Sequence, residues 1–340
     1  MTATPTSSRP KVAAPLLEVE DLSLSFRSGS GEARVLHDVS FSVGSGEIVG
    51  LVGESGSGKT VTSLALAGLL DPRTAVTSGN ATLNGEPLLG RGSANRSDLP
   101  LAMIFQEPMT ALDPVFTIGS QLMETLTHRQ GKSRKEAKRE ALVLLEQVGI
   151  SDPRARLASY PHQLSGGMRQ RVMIAIALAC APRLLIADEP TTAVDVTIQA
   201  QLLELIKRLS VERDMSVLFI THDLGVVAET CDRMITMYAG RIVEQGEVEQ
   251  VLSKPRHPYT AGLLAALPSP ETRGRTLAAI PGRVPPPTQV VTGCVFAERC
   301  DHRADECGEP QDLAGSTHQV RCVRSAELTL IGAQRLEVGR

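Results

Sequence analysis

Residues 53 to 60 read GESGSGKT, three glycines and two serines followed by a lysine beside a threonine. Gly53, Gly56 and Gly58 let successive backbone N–H groups turn toward one point, and a helix starting at Lys59 would aim its positive end there too. A lysine in that position can reach the β and γ phosphates of a nucleotide, and a threonine hydroxyl can bind Mg²⁺. A turn that needed only flexibility would not require both side chains in adjacent positions. The apolar "EIVGLV" before the stretch and "VTSLALAGLL" after it supply the strand, loop and helix that such a grip needs. The candidate nucleotide-binding residues are therefore Gly53, Ser55, Gly56, Ser57, Gly58, Lys59, Thr60 and Val61.

Two further stretches extend the chemistry. In "LLIADEP" an apolar run ends on Asp188, which can hold Mg²⁺ through water, and Glu189, which can polarise an attacking water. Without the grip at residue 53, the same stretch would read as a buried strand with an acidic end. In "LSGGMRQR", Leu164 to Arg171, a serine and two glycines open a second helix, which makes a second anion-binding start. One nucleotide per chain has no obvious use for two.

The elements that must position these groups alternate from Leu16 to about Leu252. "LEVEDLSLSF" and "VLHDVSFSV" alternate apolar and polar residues, as half-buried antiparallel strands do. "EIVGLV", "RLLIAD" and "MSVLFITHD" are continuous apolar runs, as expected for strands buried on both faces of a parallel sheet. Ligands in such sheets bind beyond the carboxyl ends of the strands. Gly53, Asp188 and His222 all fall at such ends, so one shared site is expected. Between about Leu101 and Ala181 the pattern turns helical, most clearly in "SRKEAKREALVLLEQVGI", which predicts an inserted helical subdomain over about 107–181. After Leu252 come proline-rich stretches and a cysteine cluster, with a boundary expected near residue 253.

Bulk properties exclude several classes. The 340 residues can bury a large core, and a net charge of −3 gives no basic stripe for nucleic acid. Aromatic content of 3% with no Trp leaves little for base stacking. The longest apolar run, "VMIAIALACA" from Val172 to Ala181, is half of the roughly 20 residues that span a bilayer. The first 15 residues lack a charged segment followed by an apolar one, so they read as a disordered tail rather than a secretory signal, and a cytosolic chain is expected.

Together these motifs resemble the ATP-binding subunits of ABC transporters, over about residues 16–330, with GESGSGKT as the Walker A stretch, LLIADE as Walker B and LSGGM as the signature between them. The resemblance implies an α/β fold: an ABC-type ATPase core over 16–252 with a parallel P-loop sheet, an antiparallel β subdomain and an inserted helical subdomain, then a cysteine-rich extension over 253–340. It implies that two subunits meet head to tail, each ATP lying between one Walker A and the other chain's Ser165, Gly166 and Gly167. That would explain the second helix start. It also implies that Gln106 contacts Mg²⁺ and a membrane partner, that His222 senses the γ-phosphate, that Asp195 signals across the dimer and that Phe26 stacks on adenine. Met168 replaces the glutamine commoner at that place and leaves Ser165 and Gly167 intact.

"QEPMTALDP", "HPYTAGLLAALP" and "HQVRC" resemble the oligopeptide and dipeptide uptake branch, with nickel-uptake relatives sharing some of these stretches. The implied activity is ATP hydrolysis powering peptide import at the cytoplasmic face of the membrane, as a peripheral subunit. The implied partners are a second cassette of different sequence, two transmembrane permeases and, indirectly, an extracytoplasmic solute-binding protein, with no nucleic acid. Cys294, Cys300, Cys307 and Cys322 are not needed by the ATPase core; their spacing, unlike paired zinc-ribbon cysteines, leaves metal ligands, structural thiols and disulfides open, with His302 and His318 available to zinc. Resemblance to the same branch implies a four-iron, four-sulfur cluster stapling a core-poor tail.

Overall fold

The alternating stretches at the start of the chain form β1 (Leu17–Ser28) and β2 (Gly31–Val43), paired antiparallel with Leu17 opposite Val43 and Phe26 opposite Ala33. Strand β3 (Ile48–Val52) leaves that sheet and is buried at every position, as its unbroken apolar run predicts. It runs into the phosphate loop and α1 (Lys59–Ala67). The chain then returns to the first sheet as β4 (Ala75–Leu83) and β5 (Glu86–Pro87), giving the order β2-β1-β4-β5. A computed structural model of the chain describes residues 15–28, 31–89, 99–106, 111–192, 195–267, 279–289 and 291–332. The expected tail lies outside them but for residue 15.

The second sheet holds the chemistry. Among the described residues it has seven strands: β3, β6 (Leu101–Ile104), β7 (Leu184–Asp188), β8 (Ser216–Thr221), β9 (Arg233–Tyr238), β10 (Arg241–Glu247) and β11 (Gln319–Val320), in the order β11-β10-β9-β3-β8-β7-β6. Strands β9, β3, β8, β7 and β6 are parallel to one another, while β10 and β11 add antiparallel strands at one edge. The carboxyl ends of β3, β7 and β8 therefore open on the same side, which brings Gly53, Asp188 and His222 together.

Between β6 and β7 lie α2 (Ile118–Gln130), α3 (Arg134–Gln147), α4 (Pro153–Leu157) and α5 (Gly166–Ala179). Ser133 and Glu136 close a capping box at the start of α3, a device worth about 1 kcal/mol. The helices bury Ile118, Leu122 and Leu126 of α2 with Ala137, Ala141, Leu144 and Leu145 of α3 in a cluster that continues onto the sheet through Leu185, Val217 and Phe219. Each fully buried leucine there contributes roughly 1.5–3 kcal/mol. Of the helical insertion expected over about 107–181, these helices cover Ile118 to Ala179, and residues 107–110 lie outside those described. Helices α6 (Val196–Glu212), α7 (Leu224–Thr230), α8 (Val248–Ser253) and α9 (Pro258–Ala265) follow among the described residues.

The extension is less separate than its composition predicts. Strand β11 pairs with β10, Val320 opposite Glu244 and Gln319 opposite Gln245, so the core sheet gains a strand from beyond residue 253. Nor is the extension without a core. Tyr259 and Phe296 pack on Tyr238 of β9, with ring centroids 4.7 and 5.3 Å away, and all three are buried. Two of the chain's three tyrosines thus lie in one seam, where large rings seal the extension to the sheet.

Candidate active site

The phosphate loop needs glycine for steric reasons at two places. Gly53 has φ 155°, and a Cβ on it would run into the Met237 carbonyl oxygen; Gly58, the left-handed N-cap of α1, would place a Cβ 2.9 Å from Leu36 Cδ2. Lys59 turns back into the loop, where Nζ donates to the carbonyls of Gly53 at 2.7 Å and Glu54 at 2.9 Å. Burial lowers its pKa, against the pull of Glu189, Asp188 and Glu54. Asp188 is buried beneath it and receives the Thr60 hydroxyl at 3.5 Å and the Ser63 hydroxyl at 3.3 Å. Burial raises the Asp188 pKa, which a divalent cation beside the carboxylate would reverse. Thr60 and Asp188 form a hard-oxygen pair of the kind Mg²⁺ takes.

Glu189 is the meeting point of the site. It leaves β7 at φ 46°, an uncommon conformation for a non-glycine residue, and its amide donates to the Ile220 carbonyl. That turn brings its carboxylate to three partners: Gln106 Nε2 at 3.0 Å, Thr192 Oγ1 at 2.9 Å and His222 Nδ1 at 3.2 Å. Burial alone would raise its pKa, but the hydrogen bonds from His222 and Thr192 outweigh burial and hold the carboxyl below its usual range. The group is therefore ionised at neutral pH, the state a base requires. Thr192 was not singled out from sequence; its spacing of three residues from Glu189 was the only available signal.

The remaining predicted residues divide. Gly56, Gly58 and Val61 line a cavity of about 540 Å³ whose other walls include Val35, His37, Arg241 and Pro285 to Gln289 of the extension. Burial, then the charges of Arg241 and Arg34, lower the His37 pKa. Phe26 does not line this cavity; it lies half-buried on β1 against the apolar cluster beneath. Ser165 caps α5 by accepting from the Met168 N–H, and Ser165 and Gly166 are exposed. Asp195 caps α6 through the Ile198 N–H and is exposed as well, while 193–194 lie outside the described residues. None of these three lines the cavity beside Gly56.

These motifs are matched elsewhere. Residues 36–192 fit the ABC transporter family, and residues 243–307 fit the C-terminal region of oligopeptide/dipeptide transporters. The dipeptide transport ATP-binding protein DppD of Escherichia coli is 48% identical over 295 residues, covering 86% of this chain and 90% of that one. This chain belongs to the ABC transporter ATP-binding proteins. Among solved structures, a dimeric post-hydrolysis state of the ATP-binding cassette MJ0796 bound to ADP and Pi superposes with TM-score 0.59 at 25% identity, over 68% of this chain and 98% of that one. CbiO1 from Clostridium perfringens, part of the ABC transporter complex cbiONQ, has the same TM-score at 24% identity, over 70% and 90%, and shares the fold. Among the described residues of this ABC ATPase, no helix is long and apolar enough to cross a membrane.

All six cysteines are free thiols in the structure. Cys294, Cys300, Cys307 and Cys322 line one small cavity of about 10 Å³ with His302, room for about one water. Burial, then the neighbouring thiols, push Cys294 up to about 11. Among the described residues no three His, Cys, Asp or Glu side chains stand close enough to grip one ion, so the zinc alternative finds no ligand set; His318 instead bonds Glu244 at 2.7 Å. The expected cysteine-rich metal site is thus a convergence of thiols rather than a formed ion site.

Proposed function

We propose that this ABC ATPase hydrolyses ATP to drive import of dipeptides or oligopeptides through separate membrane permeases. The observation that carries the chemistry is the ionised Glu189 held by Gln106, Thr192 and His222 beside Lys59 and Asp188. In this reading Lys59 and the loop amides hold the phosphates, Thr60, Asp188 and Gln106 hold Mg²⁺, and Glu189 takes the proton of the attacking water while His222 reports the γ-phosphate. Phe26 would meet adenine from β1. The peptide substrate is supported by the match of residues 243–307 and by the name of the dipeptide transport relative.

An apolar groove supports coupling to a permease. Beside Gln106, Phe105 is exposed, and an apolar groove of about 650 Å³ runs between Leu66, Leu69, Leu112 and Ile176. A short amphipathic helix from a permease fits such a groove, and would hold the subunit peripherally at the cytoplasmic face. A second cassette would complete the signature's nucleotide, and a solute-binding protein would deliver peptide from outside.

In the same reading Cys294, Cys300, Cys307 and Cys322, which line one cavity, would each give one sulfur to a four-iron, four-sulfur cluster. Such a cluster would supply four bonds tying 294–322 together, and its entry requires the thiols to spread. The test of the whole reading is peptide uptake in cells: deletion of this chain should abolish it, and the subunit should sediment with membranes only when its permeases are co-expressed. Binding to bare lipid, or persistent uptake with no substitute cassette present, would refute the importer role.

A further inference from the structure

Glu54 is the one acidic residue inside GESGSGKT, an unexpected charge where phosphates are to be held. Its carboxylate does not face the loop's centre unopposed. Arg299, from the turn Ala297–Arg299 between Cys294 and Cys300, meets it with both arms of the guanidinium: Nη1 donates to Oε2 at 2.7 Å and Nη2 to Oε1 at 3.1 Å. This planar fork is the strong form of the pair. The Arg299 side chain is only 5% exposed, and its remaining donors go to the carbonyls of Pro281 and Ile280 and to the Tyr238 hydroxyl. Every edge of the guanidinium is thus used, and Pro281, Ile280 and Tyr238 fix its direction independently of Glu54. The loop is held at a second point by the extension, since the Glu54 amide donates to Tyr259 Oη at 2.8 Å.

The consequence reaches the phosphate site through one residue. The Glu54 carbonyl accepts from Lys59 Nζ, and the Glu54 charge is among those acting on that ammonium. A carboxylate freed from Arg299 would compete with phosphate for Lys59 and repel the nucleotide.

We propose that Arg299 is a positioning residue for ATP binding: the C-terminal extension uses it, with Tyr259, to hold Glu54 of the phosphate loop away from Lys59. The proposal rests on the nucleotide-binding reading above, and gives the extension a part in the ATP site that the four cysteines do not require.

Titration of the full chain with MgATP tests it. Arg299→Ala should raise the Kd about tenfold, and adding Glu54→Gln should bring it back to within about threefold of wild type, because the charge being restrained is gone. In the assembled transporter the single variant should raise KM for ATP and leave kcat within about twofold, a split that general loosening of the fold would not give. Arg299→Lys, which keeps the charge but not the fork, reads the same cycle if the alanine variant does not fold, with about a threefold loss reversed by Glu54→Gln. Wild-type affinity in Arg299→Ala, or no recovery in the double variant, overturns the proposal. Lys59→Ala separates the two readings: its loss of binding beside an unchanged Arg299→Ala removes only the role of Arg299, and a wild-type chain that binds no MgATP removes the nucleotide site and this proposal with it.

Discussion

The two glycine-opened helix starts, at Gly58 and at Ser165, have similar composition and opposite surroundings. The first is enclosed by its own chain: Lys59 is buried, its ammonium bonded within the loop, and Asp188, Glu189 and the extension stand around it. The second ends on exposed Ser165 and Gly166, with the Ser165 hydroxyl accepting locally from the Met168 N–H. A helix N-terminus becomes a phosphate site only when other groups complete it. In this subunit charged groups stand around the first start while the second is exposed, a difference that the proposed head-to-tail pairing of cassettes would use.

The largest effect is expected where the enclosed start meets the base. Glu189→Gln should retain ATP binding and lose about 100–10,000-fold in turnover, as removal of a general base does; ATP titration and phosphate release on the assembled complex measure both. Near-normal turnover would take Glu189 out of its role and leave the enclosed start with no hydrolytic group.

An intermediate effect probes the open start. Ser165→Arg should leave ATP binding to the isolated subunit within about twofold and block closure of the ATP-bound dimer, since the cation intrudes where a partner's phosphates would lie. Cross-linking across the interface reads this, and closure that survives the substitution would mean the open start faces no nucleotide.

The smallest effect on nucleotide should come from the cysteines. Cys300→Ser is expected to change MgATP affinity by less than about twofold, because Arg299 keeps its bonds to Pro281, Ile280 and Tyr238, while bleaching the brown colour of anaerobically purified chain. Colourless anaerobic protein lacking equal iron and sulfide would rule out the cluster. A large loss of affinity instead would show that the thiol cavity, and not only Arg299 next to it, governs the enclosed start.

Much of the site was legible because its parts are local. The grip at 53–60, the acid pair after "LLIA" and the histidine after "VLFIT" each announce themselves within a few residues, since strand, loop and helix start must be contiguous to aim backbone N–H groups. Burial of β3, β7 and β8 followed from unbroken apolar runs. What was missed depends on a backbone turn or on long separations. Thr192 matters only because Glu189 adopts a left-handed turn, and Arg299 meets Glu54 across 245 residues of chain. The strand Gln319–Val320 is too short to carry any period, and it exists because the β10 edge offers it partners.

The sequence by itself determined which residues could bind phosphate, metal and water, because those capacities belong to residue types and to spacings of a few positions. Only the tertiary structure decided which of two similar helix starts is completed within this chain, that the carboxylate of Glu189 gathers Gln106, Thr192 and His222, and that the extension seals onto the sheet and reaches the phosphate loop. The physical reason is that completion of a charged site is set by what is packed around it, through burial and by hydrogen bonds between distant segments, and neither is written in the local order of residues.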